Sequence, residues 1–266
     1  MAAYFNRHPD KLDHFFEKPG SLEAFARILG RLQEDVAAQA IKIACRLIMR
    51  IGRQIADSGY RPGKLKWVKG CIDGAEIALD QSLERYMEEP EKGILENLVS
   101  HVRHKERQAF VMMLDFSYSM QSKVILSAIT AAAIAQHFKK DYAVLAFSDG
   151  VFVLKEVHEK AGPEKVLERL FSLQAHGDTN IRLVLETGLK HVHEFKAKTG
   201  LLLTDGGWNK GGDPFQAAVL YDKLSVIGFP PAEHEKILQL ALQGKGSSSL
   251  VRDEREIAGA ILQCLK

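Results

Sequence analysis

A chain of 266 residues with 46% hydrophobic content holds enough apolar material for one large core or two modest ones, which excludes disorder as its dominant state. Its 36 basic and 34 acidic residues leave a formal charge of +2, so no strong field is present to gather nucleic acid or an anionic membrane surface. The first residues, Met1 to His8, run into charge without the apolar stretch of a signal peptide, and no later run approaches the roughly eighteen apolar residues of a membrane span; a soluble, cytoplasmic protein is expected.

Along the chain, the first hundred or so residues are patterned for helices. A short segment with Phe15 and Phe16 is separated by Pro19-Gly20 from a second, in which Ser21 precedes Leu22, Phe25, Ile28 and Leu29. From about Glu34 to Asp57, Val36, Ala40, Ala44, Leu47, Ile48, Ile51 and Ile55 recur at three- and four-residue steps and form one stripe of an amphipathic helix. Two glycines and a proline within Ser58 to Gly63 break it. Further helix is expected from about Ile77 to Met87 and from Ile94 to Val102, with Pro90 and Gly93 marking the turn between them. No internal repeat or low-complexity tract occurs, which argues against a helical solenoid.

The periodicity then changes. Phe110 to Leu114 is a short, continuously apolar run, as expected of a parallel strand buried on both faces. A long apolar helix from about Ser122 to Phe138 follows. Strands are expected at Tyr142 to Phe147, Val151 to Val157, Leu201 to Leu203 and Leu224 to Phe229. Helices are expected near 163–173, 181–195, 215–221, 233–242 and 253–265. Such alternation predicts an α/β fold, a doubly wound, mostly parallel Rossmann-like sheet, preceded by an α-helical region; the expected division is 1–106 for the helices and 107–266 for the sheet domain.

In an open parallel sheet, ligands bind outside the carboxyl ends of the strands. The most unusual polar residues of the sequence fall there. The first strand ends in Asp115-Phe116-Ser117-Tyr118-Ser119, a second loop carries Gly177-Asp178-Thr179-Asn180-Ile181 just before a helix, and a third reads Thr204-Asp205-Gly206 directly after a strand of leucines. The order D-x-S-x-S, then G-x-T-x-I, then T-D-G resembles the metal-ion-dependent adhesion site of von Willebrand factor A domains. The spacing agrees, with 60 residues from Ser119 to Thr179 and 26 from Thr179 to Asp205. The resemblance extends over roughly three fifths of the chain and implies that Asp115, Ser117, Ser119, Thr179 and Asp205 hold one divalent cation, directly or through water. It further implies that an aspartate or glutamate of a protein partner completes the shell.

The donor types point the same way. All five side chains present oxygen and two are anionic, which suits Mg2+, or Mn2+ or Ca2+, rather than zinc or copper. Two carboxylates neutralise a divalent ion without overcharging it, so it keeps its attraction for one more carboxylate. Tyr118 stands where the family often has glycine and offers an aromatic ring at the rim. Asp178 adds a third carboxylate nearby, with either a strengthening or a weakening effect on the site.

Other polar groups carry less. Cys45, Cys71 and Cys264 are odd in number and far apart, as reduced thiols rather than a zinc site. His191 with His193 and His101 with His104 lack a third ligand and are expected at the surface. The basic runs 61–69 and 101–107 are expected as solvated connectors or docking points for an acidic surface. No P-loop string is present, and the glycine pairs Gly206-Gly207 and Gly211-Gly212 instead suggest a loop able to rearrange. A haloacid dehalogenase-like phosphoryl acceptor at Asp115 would need a second aspartate where Ser117 stands, so no enzyme activity is expected.

The stretch Gly74 to Glu84 resembles the segment in front of the A domain in CoxE-like proteins, which work with MoxR-type AAA+ ATPases in assembling or metal-loading other complexes. That resemblance implies an adaptor for such an ATPase. Two alternatives stay open: an RNA-binding Ro-like protein, disfavoured by the near-neutral charge and short helical region, and a subunit of a chelatase-type motor.

Overall fold

The computed structural model describes residues 1–18, 20–57, 64–71, 75–104, 109–138, 142–173 and 177–265. Contacts divide the chain into two units, one made of Met1–Gly59 with Gln108–Lys266 and the other of Tyr60–Arg107. One boundary between the units thus falls between residues 107 and 108, and residues 1–59 share a unit with 108–266.

The larger unit begins with the helices α1 (Ala2–Phe5), α2 (Leu12–Phe16), α3 (Ser21–Ile28) and α4 (Glu34–Asp57). In the smaller unit, β1 (Lys64–Lys69), β2 (Glu76–Ile77), α5 (Leu79–Glu88), α6 (Gly93–Asn97) and β3 (Val99–His104) follow. Here an antiparallel sheet runs in the order β1-β3-β2, with Lys64 opposite His104 and Lys69 opposite Val99. Two expectations fail in this unit. Lys64–Lys69 is a strand rather than a connector, and the helix expected to reach Val102 stops at Asn97. The Asn97 Nδ2 donates to the carbonyls of Gly93 and Glu89 at 3.1 and 2.9 Å and closes that helix, after which cross-strand pairing sets Val99–His104 as strand.

The chain then returns to the larger unit with β4 (Phe110–Asp115), α7 (Val124–Phe138), β5 (Tyr142–Phe147), β6 (Val151–Lys155), α8 (Pro163–Ser172), α9 (Ile181–Val192), β7 (Thr199–Thr204), α10 (Phe215–Ala218), β8 (Lys223–Gly228), α11 (His234–Gln243), β9 (Lys245–Leu250) and α12 (Glu254–Leu265). Six strands lie in the order β6-β5-β4-β7-β8-β9. All neighbours are parallel except β6, which pairs antiparallel with β5 at one edge. The fold is therefore the doubly wound, mostly parallel sheet that the alternation predicts. β9 was not expected, because Lys-Gly-Ser-Ser-Ser-Leu lacks an apolar pattern; a half-exposed edge position tolerates it. No helix among the described residues is long and apolar enough to cross a membrane.

Side chains alternate between the two faces of the sheet and build two cores. Val111, Met113, Leu145, Phe147, Leu202 and Val226 pack against α9, α10 and α11. On the other face Met112, Leu114, Val144, Leu203 and Ile227 pack against α7, α8 and α12. This second core continues outward, since Phe5, Phe16, Phe25, Val36, Ala40, Ala44 and Ile48 belong to it. α7 thus lies between the sheet and α4. That position explains its composition, because a helix buried on both sides is apolar all round.

Small residues set the spacing of that contact. A Cβ added to Gly52 would come within 3.1 Å of the Ala133 nitrogen and 3.2 Å of the Ala132 Cβ, so α4 meets the alanine-rich α7 backbone to backbone. Gly52→Val is expected to destabilise the larger unit by about 1–3 kcal/mol through overpacking, measured by urea unfolding. In the smaller unit, the buried Ser82 hydroxyl donates to the Ala78 carbonyl at 2.8 Å and accepts from the Val99 N–H at 2.9 Å, fastening α5 to β3. Ser82→Ala strands the Val99 amide, and about 1–3 kcal/mol of local stability should be lost as faster hydrogen exchange at Val99.

Candidate metal centre

β4 is the first strand of the six-stranded sheet; β5 continues to one side of it and β7 lies on the other. The winding therefore reverses between β4 and β7, and the crevice of a doubly wound sheet opens at the carboxyl ends of such a pair. Register brings polar residues to that point. Leu114 pairs with Leu203, so the next residues, Asp115 and Thr204, face each other. The Thr204 Oγ1 donates to the Asp115 Oδ2 at 2.5 Å, and the Ser117 N–H donates to the Oδ1 at 3.0 Å.

The loop after β4 is a short turn. Its extended Ser117 and the single 3-10 turn Tyr118–Met120 bring the Ser117 and Ser119 hydroxyl oxygens within 3.2 Å of each other. Met120 is buried and anchors the turn, while Tyr118 is 73% exposed at the rim. Asp205 follows β7 directly, and its Oδ1 accepts from the Gly207 N–H at 3.0 Å. Between them Gly206 takes φ +81, a left-handed conformation that favours glycine. The Thr204 hydroxyl also accepts from the Gly206 N–H at 3.1 Å, so one side chain ties both carboxylate loops together.

Thr179 reaches the group through its backbone. It is buried just before α9, its N–H donates to the Asn209 Oδ1 at 2.8 Å, and its carbonyl accepts from the N–H groups of Asn209 and Lys210 at 3.2 and 3.3 Å. Residues 209–210 lie on the loop that Asp205 begins. The Asn180 N–H donates to the Ser148 carbonyl at 2.9 Å, which adds the turn after β5 to the cluster. Asp178 is exposed and held by the Asn209 Nδ2 at 2.9 Å. Thr204 stood in the T-D-G string with no role of its own, which the strand register supplies, and no sequence signal marks Asn209.

Asp115 is 1% exposed. Burial pushes its carboxyl up to about 6; hydrogen bonds from Thr204 and Ser117 pull it down, and the nearby Asp205 raises it further. The groups that set this acidity are two residues donating hydrogen bonds and a second carboxylate, with no basic side chain among them. An oxygen-only cluster of two carboxylates and hydroxyls with such a buried anion fits a hard divalent cation. Among the described residues no group of three or more His, Cys, Asp or Glu side chains could hold a metal, so nitrogen- and sulfur-based sites have no counterpart there. His191 pairs with Glu156 at 2.8 Å and is mostly covered rather than free on the surface, whereas His193 is exposed. The His176 and His104 side chains lie outside the described groups. Cys45, Cys71 and Cys264 are free, as expected.

Because the folded-state pKa of Asp115 lies above its ordinary value of 3.8, the cation-free folded protein holds this proton more tightly than the unfolded chain does. Stability from this group is therefore greatest below about pH 4 and declines as pH rises to about 6, a loss of up to roughly 3 kcal/mol. In chelator at pH 8, Asp115→Asn is expected to be more stable than the wild type by up to that amount, and the difference should shrink toward pH 4 in denaturant titrations.

The family model for VWA domain containing CoxE-like proteins matches residues 73–223, a span that includes Asp115, Ser117, Ser119, Thr179 and Asp205. Among solved structures, an aerotolerance-related membrane protein from Bacteroides fragilis, with multiple mutations to serines, is 17% identical, covering 59% of this chain and 98% of its own, with a TM-score of 0.50. The manganese-loaded TRAP protein of Plasmodium vivax is 15% identical over 59% of this chain and 72% of its own, at 0.49. Proximal thread matrix protein 1 from the mussel byssus, with a zinc-occupied MIDAS motif, is 19% identical over 57% and 45%, at 0.44. No curated protein gave a match. The structural likenesses concern the fold alone, and the family match spans more than half of the sequence: the chain belongs to the VWA domain containing CoxE-like proteins.

Proposed function

We propose that this protein is a divalent-cation-dependent protein interaction module. Asp115, Ser117, Ser119, Thr179 and Asp205 hold one ion, Mg2+ in first place, with Mn2+ or Ca2+ as alternatives. The observation behind this is the buried Asp115, set beside Asp205 and faced by hydroxyl and amide donors instead of a basic side chain. Such an anion is costly in a dry environment unless a cation meets it. When bound, the ion supplies a Lewis-acidic position for a carboxylate from outside.

The protein's own groups do the rest. Thr204 and the Ser117 amide hold one oxygen of Asp115 each and so fix the orientation of its carboxylate. Ser117 and Ser119 offer neutral oxygens that add no charge, leaving attraction for an aspartate or glutamate of the partner. Tyr118 stands exposed at the rim, a large amphipathic ring of the kind enriched where proteins meet. In this reading the site binds rather than catalyses, its oxygen donors serving as ligands to the ion. Membership of the CoxE-like family supports a MoxR-type AAA+ ATPase as the partner, with the protein acting as its adaptor in assembling or metal-loading other complexes.

Titrating MgCl2 into the protein should give single-site binding, and Asp115→Ala or Asp205→Ala should weaken it more than about 100-fold, beyond the 10–100-fold usual for outer-shell residues. Equal heats for wild type and Asp115→Ala would remove the cation site. Affinity should also drop about tenfold per pH unit below about pH 6, because the proton on Asp115 competes. For the partner, a MoxR-type ATPase should co-purify in Mg2+ and dissociate in chelator; retention in chelator would refute ion-dependent docking.

A further inference from the structure

Thr179 and Asp205 come from loops 26 residues apart, and no sheet register relates them directly. What relates them is the segment 206–212. Thr179 exchanges three hydrogen bonds with it: its N–H to the Asn209 Oδ1 at 2.8 Å, and its carbonyl from the Asn209 and Lys210 N–H groups at 3.2 and 3.3 Å. Left-handed glycines bound the segment, with φ +81 at Gly206 and +83 at Gly211. A Cβ on Gly211 would overlap the Asn180 carboxamide, which caps α9 by accepting from the Leu183 N–H at 3.0 Å. The strap is therefore pressed closely onto the threonine loop.

One side chain in the strap has two tasks. The Asn209 Oδ1 accepts from Thr179 while its Nδ2 donates to the Asp178 Oδ1 at 2.9 Å. A carboxamide alone among similar side chains supplies an acceptor and a donor in this geometry; aspartate lacks the donor and would repel Asp178. Asp178 precedes Thr179 in the chain, so its carboxylate is the one additional anion within a residue of the site, and Asn209 restrains it.

Resting on the cation site proposed above, we infer that Asn209 is a positioning residue that sets ion preference. It fixes Thr179 relative to Asp205 and holds Asp178 away from the ion, keeping the donor set small and only doubly anionic. Mg2+ accepts few protein ligands and a strict octahedron, whereas Ca2+ takes six to eight oxygens in flexible geometry. Freeing Asp178 offers a third carboxylate and so favours Ca2+. It also cancels charge that a partner's carboxylate would otherwise use.

Calorimetric titration of the full chain with MgCl2 and with CaCl2 tests this. Asn209→Ala should lose about 10–100-fold in Mg2+ affinity and less in Ca2+ affinity, raising the Ca2+ to Mg2+ ratio about tenfold, with the melting temperature in chelator lowered by only a few degrees, as for one stranded amide. Asp178→Ala alone should leave Mg2+ affinity within about threefold, and combined with Asn209→Ala it should return the ratio toward wild type. A ratio unchanged in Asn209→Ala, with wild type binding normally, overturns the role of Asn209 and leaves the cation site standing. No uptake by the wild type overturns the site itself.

Discussion

A carboxylate buried at the end of a central strand, with a second carboxylate as its neighbour, is the constraint around which the larger unit is arranged. Asp115 cannot be relieved by solvent, because it is 1% exposed, and the neighbouring strand offers it only the Thr204 hydroxyl, a neutral donor. Hydrogen bonds from Thr204 and Ser117 lower the cost and still leave its pKa raised to about 6.

The topology makes that placement possible. Because β4 lies between β5 and β7, the loops after the three strands converge at one rim, and the hydroxyl of Thr204 can serve both carboxylate loops at once. The second loop, with Thr179, belongs to no strand end and is brought in by Asn209 and Lys210. The cluster is thus assembled by two mechanisms of different stiffness. Strand register fixes the Asp115 and Asp205 loops, and a glycine-bounded strap of hydrogen bonds fixes Thr179.

Much of this was legible in the sequence, and the reasons differ by region. Phe110 to Leu114, Tyr142 to Phe147 and the leucines 201–203 are buried on both faces, so unbroken apolar runs identify them. The D-x-S-x-S and T-D-G strings were visible because they follow those runs. β1 and β3 were not, since Lys-Leu-Lys-Trp-Val-Lys and Val-Ser-His-Val-Arg-His form a small sheet held by mutual pairing, and a pairing leaves no mark on either segment alone. β9 hid for a similar reason at the opposite edge. Asn209 was illegible because its importance lies in two hydrogen bonds to residues about thirty positions away.

The double burial of α7 has a consequence for how the protein is divided. A fragment starting at residue 108 would contain every residue of the proposed cation cluster and all six strands of the larger sheet. It would also bare the flank of α7 that α4 covers, Ala132 and Ala133 included, leaving an apolar ridge open to water and to other copies of itself. The helices at the start of the chain are, in physical terms, the outer wall of the sheet domain. A truncation chosen from motif boundaries would thus yield a sticky, weakened body, and any lost binding would reflect the missing wall rather than the chemistry at the rim.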